Sequence, residues 1–329
     1  MEAAAFDSLR DQLVERRHQL ETITATSDEA GEAARLLQEV DAALRRMEAG
    51  TYGVCEACAE PIEPERLVAD PLGRFCLDHL RPGERRALEQ DLDLASRIQR
   101  ELLPKHDARV NGWEIAYHYQ PAGPVSGDYC DLIPGAAGDL YFLIGDVSGK
   151  GVAAAMLMSH LSAMLRTLVS LGLPLTQLVE RASRVFCEST LPAAYATLVC
   201  GRASASGEIE VCNAGHPPPL VIRDGTVVAL GATGVPIGMF CGEQFSSRTE
   251  RLGPGETMLL YTDGLTEAQN PAGAEYGLDR VSAVATSASR LPPRGLVDAC
   301  VREVGVFRRA PALADDLTIM ALRRGQPPA

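Results

Sequence analysis

Apolar positions near the start of the chain recur at helical spacing. Leu9, Leu13 and Leu20 form one set, and Leu36, Leu37, Val40, Leu44 and Met47 form a second after the polar break Thr24–Asp28. Apolar residues three or four apart with charges between them lie on one stripe of a helix. The pattern predicts two helices, folded as a hairpin, over residues 1–50. Residues 51–82 lose the period and are rich in turn formers. Helical spacing returns over 83–104, where Leu88, Leu92, Ala95, Gln99 and Leu102 follow a 4-3-4-3 rhythm, as in a short coiled coil. Pro104 ends it. A seam this short fits pairing with a second copy, giving a homodimer, and equally fits packing on its own domain.

Beyond residue 112 the period changes to that of strands. EIAYHYQ, DYCDLI and DLYFLIGDV come first, and two long helical stretches follow, from Val152 to Leu171 and from Leu175 to Ser189. More strands are predicted at YATLVCGRA, EIEVCNA, PPLVIRDG, TVVALG and ETMLLYTDG, then helices at 278–290 and 294–307, then a closing strand, DLTIMALRR. Strands gathered first and last, with helices grouped between them, give an α+β domain with mostly antiparallel pairing over 105–325. The tail Gly325–Ala329 is expected to be disordered.

With 329 residues the chain has room for about two domains. Its net charge of −13 argues against a broad nucleic-acid footprint, which needs clustered Lys and Arg. No run of 18 apolar residues occurs, so no membrane span is expected. The first residues are charged and amphipathic, unlike a signal peptide, so the cytoplasm is the expected compartment. Six of the nine cysteines, at 130, 187, 200, 212, 241 and 300, are scattered singly. In a reducing compartment they are expected to be small core hydrophobes.

The other three form a pattern. Cys55-x-x-Cys58 is followed after 17 residues by Cys76-x-x-His79. Two close pairs across such a loop can close a tetrahedral shell of three sulfurs and one nitrogen around one zinc ion. A shell with all four positions filled is structural. Residues 45–76 resemble the DksA/TraR-type zinc fingers, carrying their Gly-x-Cys-x-x-Cys and second pair. The chain departs from them at His79, where that family usually has cysteine. Its hairpin is shorter than the coiled coil those proteins insert into RNA polymerase, so polymerase binding is not carried over.

Acidic residues flanked by glycine stand at the ends of predicted strands: Ser126-Gly127-Asp128-Tyr129-Cys130-Asp131, Gly145-Asp146-Val147-Ser148-Gly149-Lys150-Gly151, Tyr261-Thr262-Asp263-Gly264 and Asp315-Asp316-Leu317-Thr318. Carboxylates from several strands can converge on hard divalent ions. A pair of such ions lowers the pKa of a shared water and clamps phosphate oxygens. There is no Gly-x-Ser-x-Gly elbow, and the Gly145–Gly151 loop lacks the full phosphate-loop spacing.

With NAGHPPPL (213–220) added, these motifs resemble the SpoIIE/RsbU-type serine/threonine phosphatases of the PPM (2C-like) class, from RIQRELLP (97–104) to DDLTIMAL (315–322). The resemblance implies a two-sheet antiparallel β-sandwich flanked by helices, with two Mn²⁺ or Mg²⁺ at one end. It implies Asp146 bridging both ions, the Val147 carbonyl completing one shell, and Asp128, Asp263 and Asp315 as further ligands, with in-line attack on phosphorus by metal-activated water. Asp131 and Asp316 are weaker candidates, and Asp316 equally fits a strand cap. His216 fits either a loop-fixing residue or a proton donor, and Lys150 either a phosphate-neutralising or a solvated charge. The implied substrate is a phosphoserine on a STAS-type anti-anti-sigma regulator, with the 83–104 helix in the position of that family's regulatory linker. The competing reading is a non-enzymatic regulator that docks through its finger.

Overall fold

The computed structural model describes residues 9–10, 12–18, 20–21, 30–80, 82–105, 107–135, 138–190, 194–309 and 313–325. The predicted break Thr24–Asp28 and most of the predicted tail lie outside them. The chain divides into two compact units, Met1–Asp91 and Leu92–Ala329.

In the first unit, helical residues from Leu9 to Glu21 and helix α1 (Ala30–Glu48) bring Leu9, Leu13, Leu20, Val40, Leu44 and Met47 into one core. The cysteine segment joins that core through Tyr52, Cys55, Ile62, Leu67 and Cys76. Leu67 lies on a short helix, α2 (Pro64–Ala69). Helix α3 (Pro82–Leu102) runs across the boundary between the units. Its predicted seam is used within the chain at its far end: Gln99 is buried, and Leu102 packs against the core beneath the second unit's helices.

The second unit is two antiparallel sheets, as the resemblance implied. One has the order β1 (Ala108–Val110), β2 (Trp113–Gln120), β11 (Leu317–Arg324), β10 (Thr257–Tyr261), β7 (Leu220–Arg223), β8 (Thr226–Ala229). The other has the order β3 (Asp128–Pro134), β4 (Leu140–Val147), β5 (Ala196–Ala203), β6 (Glu208–Ala214), β9 (Arg248–Arg251). Because side chains alternate across a strand, the central strands feed two cores. In β4, Leu140, Phe142 and Ile144 meet Met258, Leu260, Met320 and Leu322 between the sheets. Tyr141 and Leu143 point the other way, to helices α4 (Gly151–Ser170) and α5 (Leu175–Ser189). The outer face of the first sheet, with Leu259, Tyr261, Ile319 and Ala321, is covered by α7 (Gly277–Ser287) and α8 (Pro293–Arg308). Strands covered on both faces have no polar side to show, which is why β4 is apolar without a break from Leu140 to Ile144.

By length and composition α4 could cross a membrane. Here its apolar face, including Met158, Leu161 and Leu165, packs on the sheet.

Two strands had no sequence signal. β9, RTER, is an edge strand with mostly exposed side chains, paired to β6 through its backbone. β1 is three residues long. One cysteine expectation is overturned as well. Cys187 and Cys241 form a disulfide, with Cα atoms 5.5 Å apart and a sequence separation of 54. Gly238 seats its loop on α5, donating from its backbone N to Ser183 Oγ at 3.1 Å, and this carries Cys241 to the end of that helix. Cys130, Cys200, Cys212 and Cys300 are free and buried, as expected of core residues.

Candidate active site

Strand pairing sets the first two acids side by side. Asp128 opens β3 and stands directly opposite Asp146 near the end of β4. Alternation sends both toward the space between the sheets: Cys130, two residues beyond Asp128, and Ile144, two before Asp146, line the inter-sheet core. The other sheet brings its acids to the same end. Asp263 follows β10 and begins a single helical turn, α6 (Asp263–Thr266), and Asp315 and Asp316 immediately precede β11, the neighbour of β10.

Two threonines join the sheets. Thr262 Oγ1 and Thr318 Oγ1 both donate to Asp128 Oδ2, at 2.9 and 2.5 Å. Sequence reasoning passed over them. The available signal was their place in the motifs, Thr262 directly before Asp263 and Thr318 two residues after Asp316.

Packing at the rim is tight. A Cβ on Gly127 would stand 3.0 Å from the Val147 carbonyl oxygen and 3.4 Å from Asp146 Oδ1. On Gly264 it would stand 1.9 Å from the Asp316 carbonyl oxygen, so only glycine fits there.

The electrostatics are those of a site built for cations. Burial, then the charge of Asp146, pushes the Asp128 carboxyl well above the ordinary carboxylate range. Burial, then Asp263, Asp315 and Asp316, pushes Asp146 up to about 7. Asp263 is raised by burial and by Asp315. Carboxyls that raise one another in this way need a positive charge to ionise together. Lys150 Nζ, 2.9 Å from Asp315 Oδ2, supplies one on the exposed side. The hard oxygen donors of Asp128, Asp146, Asp263, Asp315 and the Val147 carbonyl fit divalent ions of the magnesium or manganese type.

Three other candidates are committed elsewhere. Asp131 faces the helices, because it lies an odd number of positions from Asp128. It accepts from Arg166 Nε and Nη2 at 2.7 and 2.8 Å, from the Tyr129 hydroxyl at 2.9 Å and from Leu132 N at 2.8 Å. Arg166→Ala is expected to destabilise the fold by about 3 kcal/mol, since it leaves a buried carboxylate unpaired. Urea unfolding should show this loss, with divalent-ion affinity unchanged.

Asp316 acts as a clasp. It accepts from Ala122 N, Ser126 Oγ and Gly127 N at 2.7, 2.6 and 2.9 Å. His216 is buried with both ring nitrogens engaged. Nε2 donates to the Tyr261 carbonyl at 3.1 Å, and Nδ1 accepts from Thr197 Oγ1 at 2.7 Å. Burial lowers its pKa to about 3. A neutral ring with no free nitrogen fixes the loop and does not transfer a proton.

The cysteine cluster is a second site, within the first unit. The ligand atoms of Cys55, Cys58, Cys76 and His79 all lie within 4.8 Å of one another, the one such group of cysteine, histidine or acidic side chains among the described residues. Gly53 (φ 80°) and Ala59 (φ 59°) make the knuckle turns around Cys55 and Cys58. The short turn Leu77–His79 brings His79 Nδ1 to 3.2 Å from Cys76 Sγ. Burial and its two sulfur neighbours push the Cys76 thiol up to about 11. Against the cost of burial, backbone amides including those of Cys76, Ala57 and Cys58 hold the Cys55 thiol down to about 6. Thiolates are the form of cysteine that ligates a metal ion, so a cation at this cluster would offset the repulsion between them.

Comparison with known proteins gives a family match in each of the two units. Residues 136–325 match the family "Stage II sporulation protein E (SpoIIE)", and residues 50–78 match the "Prokaryotic dksA/traR C4-type zinc finger". The chain is 27% identical over 263 residues to Protein IcfG of Synechocystis sp., covering 71% of this chain and 41% of the relative. It is 24% identical to Phosphoserine phosphatase RsbU of Bacillus subtilis, covering 58% of each. The chain thus spans about half the length of these curated relatives. The crystal structure of the RsbU and RsbW domains of a Mycobacterium tuberculosis protein superposes with a TM-score of 0.58 at 31% identity, covering 69% of this chain and 63% of that one. With the SpoIIE match spanning more than half of its residues, the chain belongs to the SpoIIE family.

Proposed function

We propose that this chain is a metal-dependent protein-serine/threonine phosphatase that hydrolyses a phosphoserine on a STAS-type anti-anti-sigma regulator in partner-switching signalling, in the cytoplasm. The observation that carries the reading is the convergence of Asp128, Asp146, Asp263 and Asp315 from both sheets on one rim, where burial and neighbouring acids raise the carboxyls of Asp128, Asp146 and Asp263. A relative named as a phosphoserine phosphatase supports the activity.

In this reading Asp146, at the centre of the repulsion, would hold two Mn²⁺ or Mg²⁺ ions together with Asp128, Asp263, Asp315 and the Val147 carbonyl. When bound, the ions supply an activated water and the positive charge that phosphoryl transfer requires. The protein's part is orientation. Thr262 and Thr318 fix one oxygen of Asp128, Asp316 clasps the Ser126–Gly127 loop, and Lys150 holds a positive charge at the exposed edge next to Asp315. Cys55, Cys58, Cys76 and His79 hold one structural Zn²⁺.

The test is hydrolysis of an aryl phosphate and of a phosphoserine-bearing STAS protein, with and without Mn²⁺. Mn²⁺-dependent turnover of both is expected, with the higher kcat/KM on the protein. Mn²⁺ binding without turnover of either would favour the non-enzymatic docking regulator.

A further inference from the structure

Gln99 sits on the inward seam of α3 and is 4% exposed. A primary amide in such a place is costly unless both of its ends are bonded. Both ends go to a single residue. Gln99 Nε2 donates to the Ser126 carbonyl at 2.6 Å, and Gln99 Oε1 accepts from Ser126 N at 3.0 Å. A two-point bond of this kind fixes the orientation of the segment it grips as well as its distance.

Ser126 is the hinge of the acidic rim. It is fully buried. Its hydroxyl donates to Asp316 Oδ2 at 2.6 Å and accepts from Asp128 N at 3.0 Å. The next residue, Gly127, donates from N to the same Asp316 oxygen at 2.9 Å and accepts at its carbonyl from Val147 N at 3.2 Å. The segment from Ser126 to Asp128 is therefore held by Asp316 on one side and by Gln99 on the other. It stands against the Val147 carbonyl and Asp146. Helix α3 provides no acid to the rim, yet one of its side chains grips the loop from which Asp128 projects.

We propose that Gln99 is a positioning residue for the metal site: by clamping the Ser126 peptide groups it sets the affinity of the acidic rim for its divalent ions. The proposal rests on the two-metal phosphatase reading. An apolar side chain of the same length would leave the Ser126 N–H and C=O buried without partners, and the loop would shift to find others. Asp128 and Gly127 would move with it.

The experiment compares the full-length chain with Gln99→Met and Gln99→Glu. It measures direct Mn²⁺ binding by calorimetry, thermal unfolding in chelator, and aryl phosphatase activity across a Mn²⁺ titration. Both variants are expected to bind Mn²⁺ about 10- to 100-fold more weakly, as when groups that orient metal ligands are lost. Activity should return toward the wild-type kcat as Mn²⁺ is raised. Gln99→Glu keeps an acceptor for Ser126 N, so it decides the matter if Gln99→Met does not fold. Unchanged Mn²⁺ affinity in a folded variant, whatever its melting temperature, would overturn the proposal and leave Gln99 a packing residue. Absence of Mn²⁺ binding in the wild type would instead overturn the two-metal reading, and this inference with it.

Discussion

Asp146→Asn is expected to reduce phosphatase activity by about 10³-fold or more and, at the same time, to stabilise the metal-free protein at neutral pH. The loss follows from its place at the centre of the acidic rim, because several kcal/mol of charge stabilisation by bound ions depends on it. The gain follows from its carboxyl, which burial and then Asp263, Asp315 and Asp316 raise to about 7 in the folded state. In the unfolded chain it titrates near an ordinary aspartate, about 3.9. Between those values the folded state holds a proton that the unfolded state has released. Metal-free stability therefore falls as pH rises from about 4 to about 7, and is flat above that. The asparagine variant lacks this contribution. At pH 8 it should be the more stable form by about 2 kcal/mol, since partial solvent access screens the carboxyl from its neighbours. Melting curves in chelator at pH 5 and pH 8 would read the difference. Mn²⁺ should then raise the wild-type melting temperature and leave the variant's almost unchanged. Parallel pH profiles for the two proteins would show that Asp146 does not carry the repulsion.

The second large effect is expected in the first unit. Removing its metal with a strong chelator should unfold residues 30–80, because Cys55 and Cys76 lie in the core that also holds Tyr52, Ile62 and Leu67. Apparent binding energies of structural zinc in finger peptides are about 10–16 kcal/mol, more than a core of this size supplies by itself. Circular dichroism should show helix loss on chelation and recovery on adding Zn²⁺. His79→Cys should keep both the metal and the fold, since a fourth thiolate closes the same shell. His79→Ala should melt at a clearly lower temperature. Retention of full helicity by the metal-free chain would show that the apolar contacts suffice without the ion.

Much of this protein was legible in the order of its residues. Helical periods placed α1, α3, α4, α5, α7 and α8 to within a few positions, and apolar runs placed most of the strands of the two sheets. The Cys/His spacing marked the finger because a tetrahedral shell constrains ligand positions locally. Acids beside glycine at the ends of predicted strands marked Asp128, Asp146 and Asp263, because a sheet rim is where the backbone can approach a ligand closely.

Local pattern could not decide between residues of the same type. Asp128 and Asp131 belong to one motif, but strand alternation sends the first between the sheets and the second to Arg166 under the helices. His216 has the composition of a proton donor, but Thr197 and the Tyr261 carbonyl occupy its two nitrogens, and both lie far from it in sequence. β9 was invisible because an edge strand can be held by backbone bonds with no apolar side to reveal it. The bond between Cys187 and Cys241, and the grip of Gln99 on Ser126, join segments 54 and 27 positions apart. The sequence by itself determined most of the elements, the cysteine–histidine cluster and the candidate acids, because periodicity and ligand spacing act over a few residues. Only the tertiary structure decided which acids share the rim and which side chains hold them there, because that depends on strand register and on contacts no local pattern encodes.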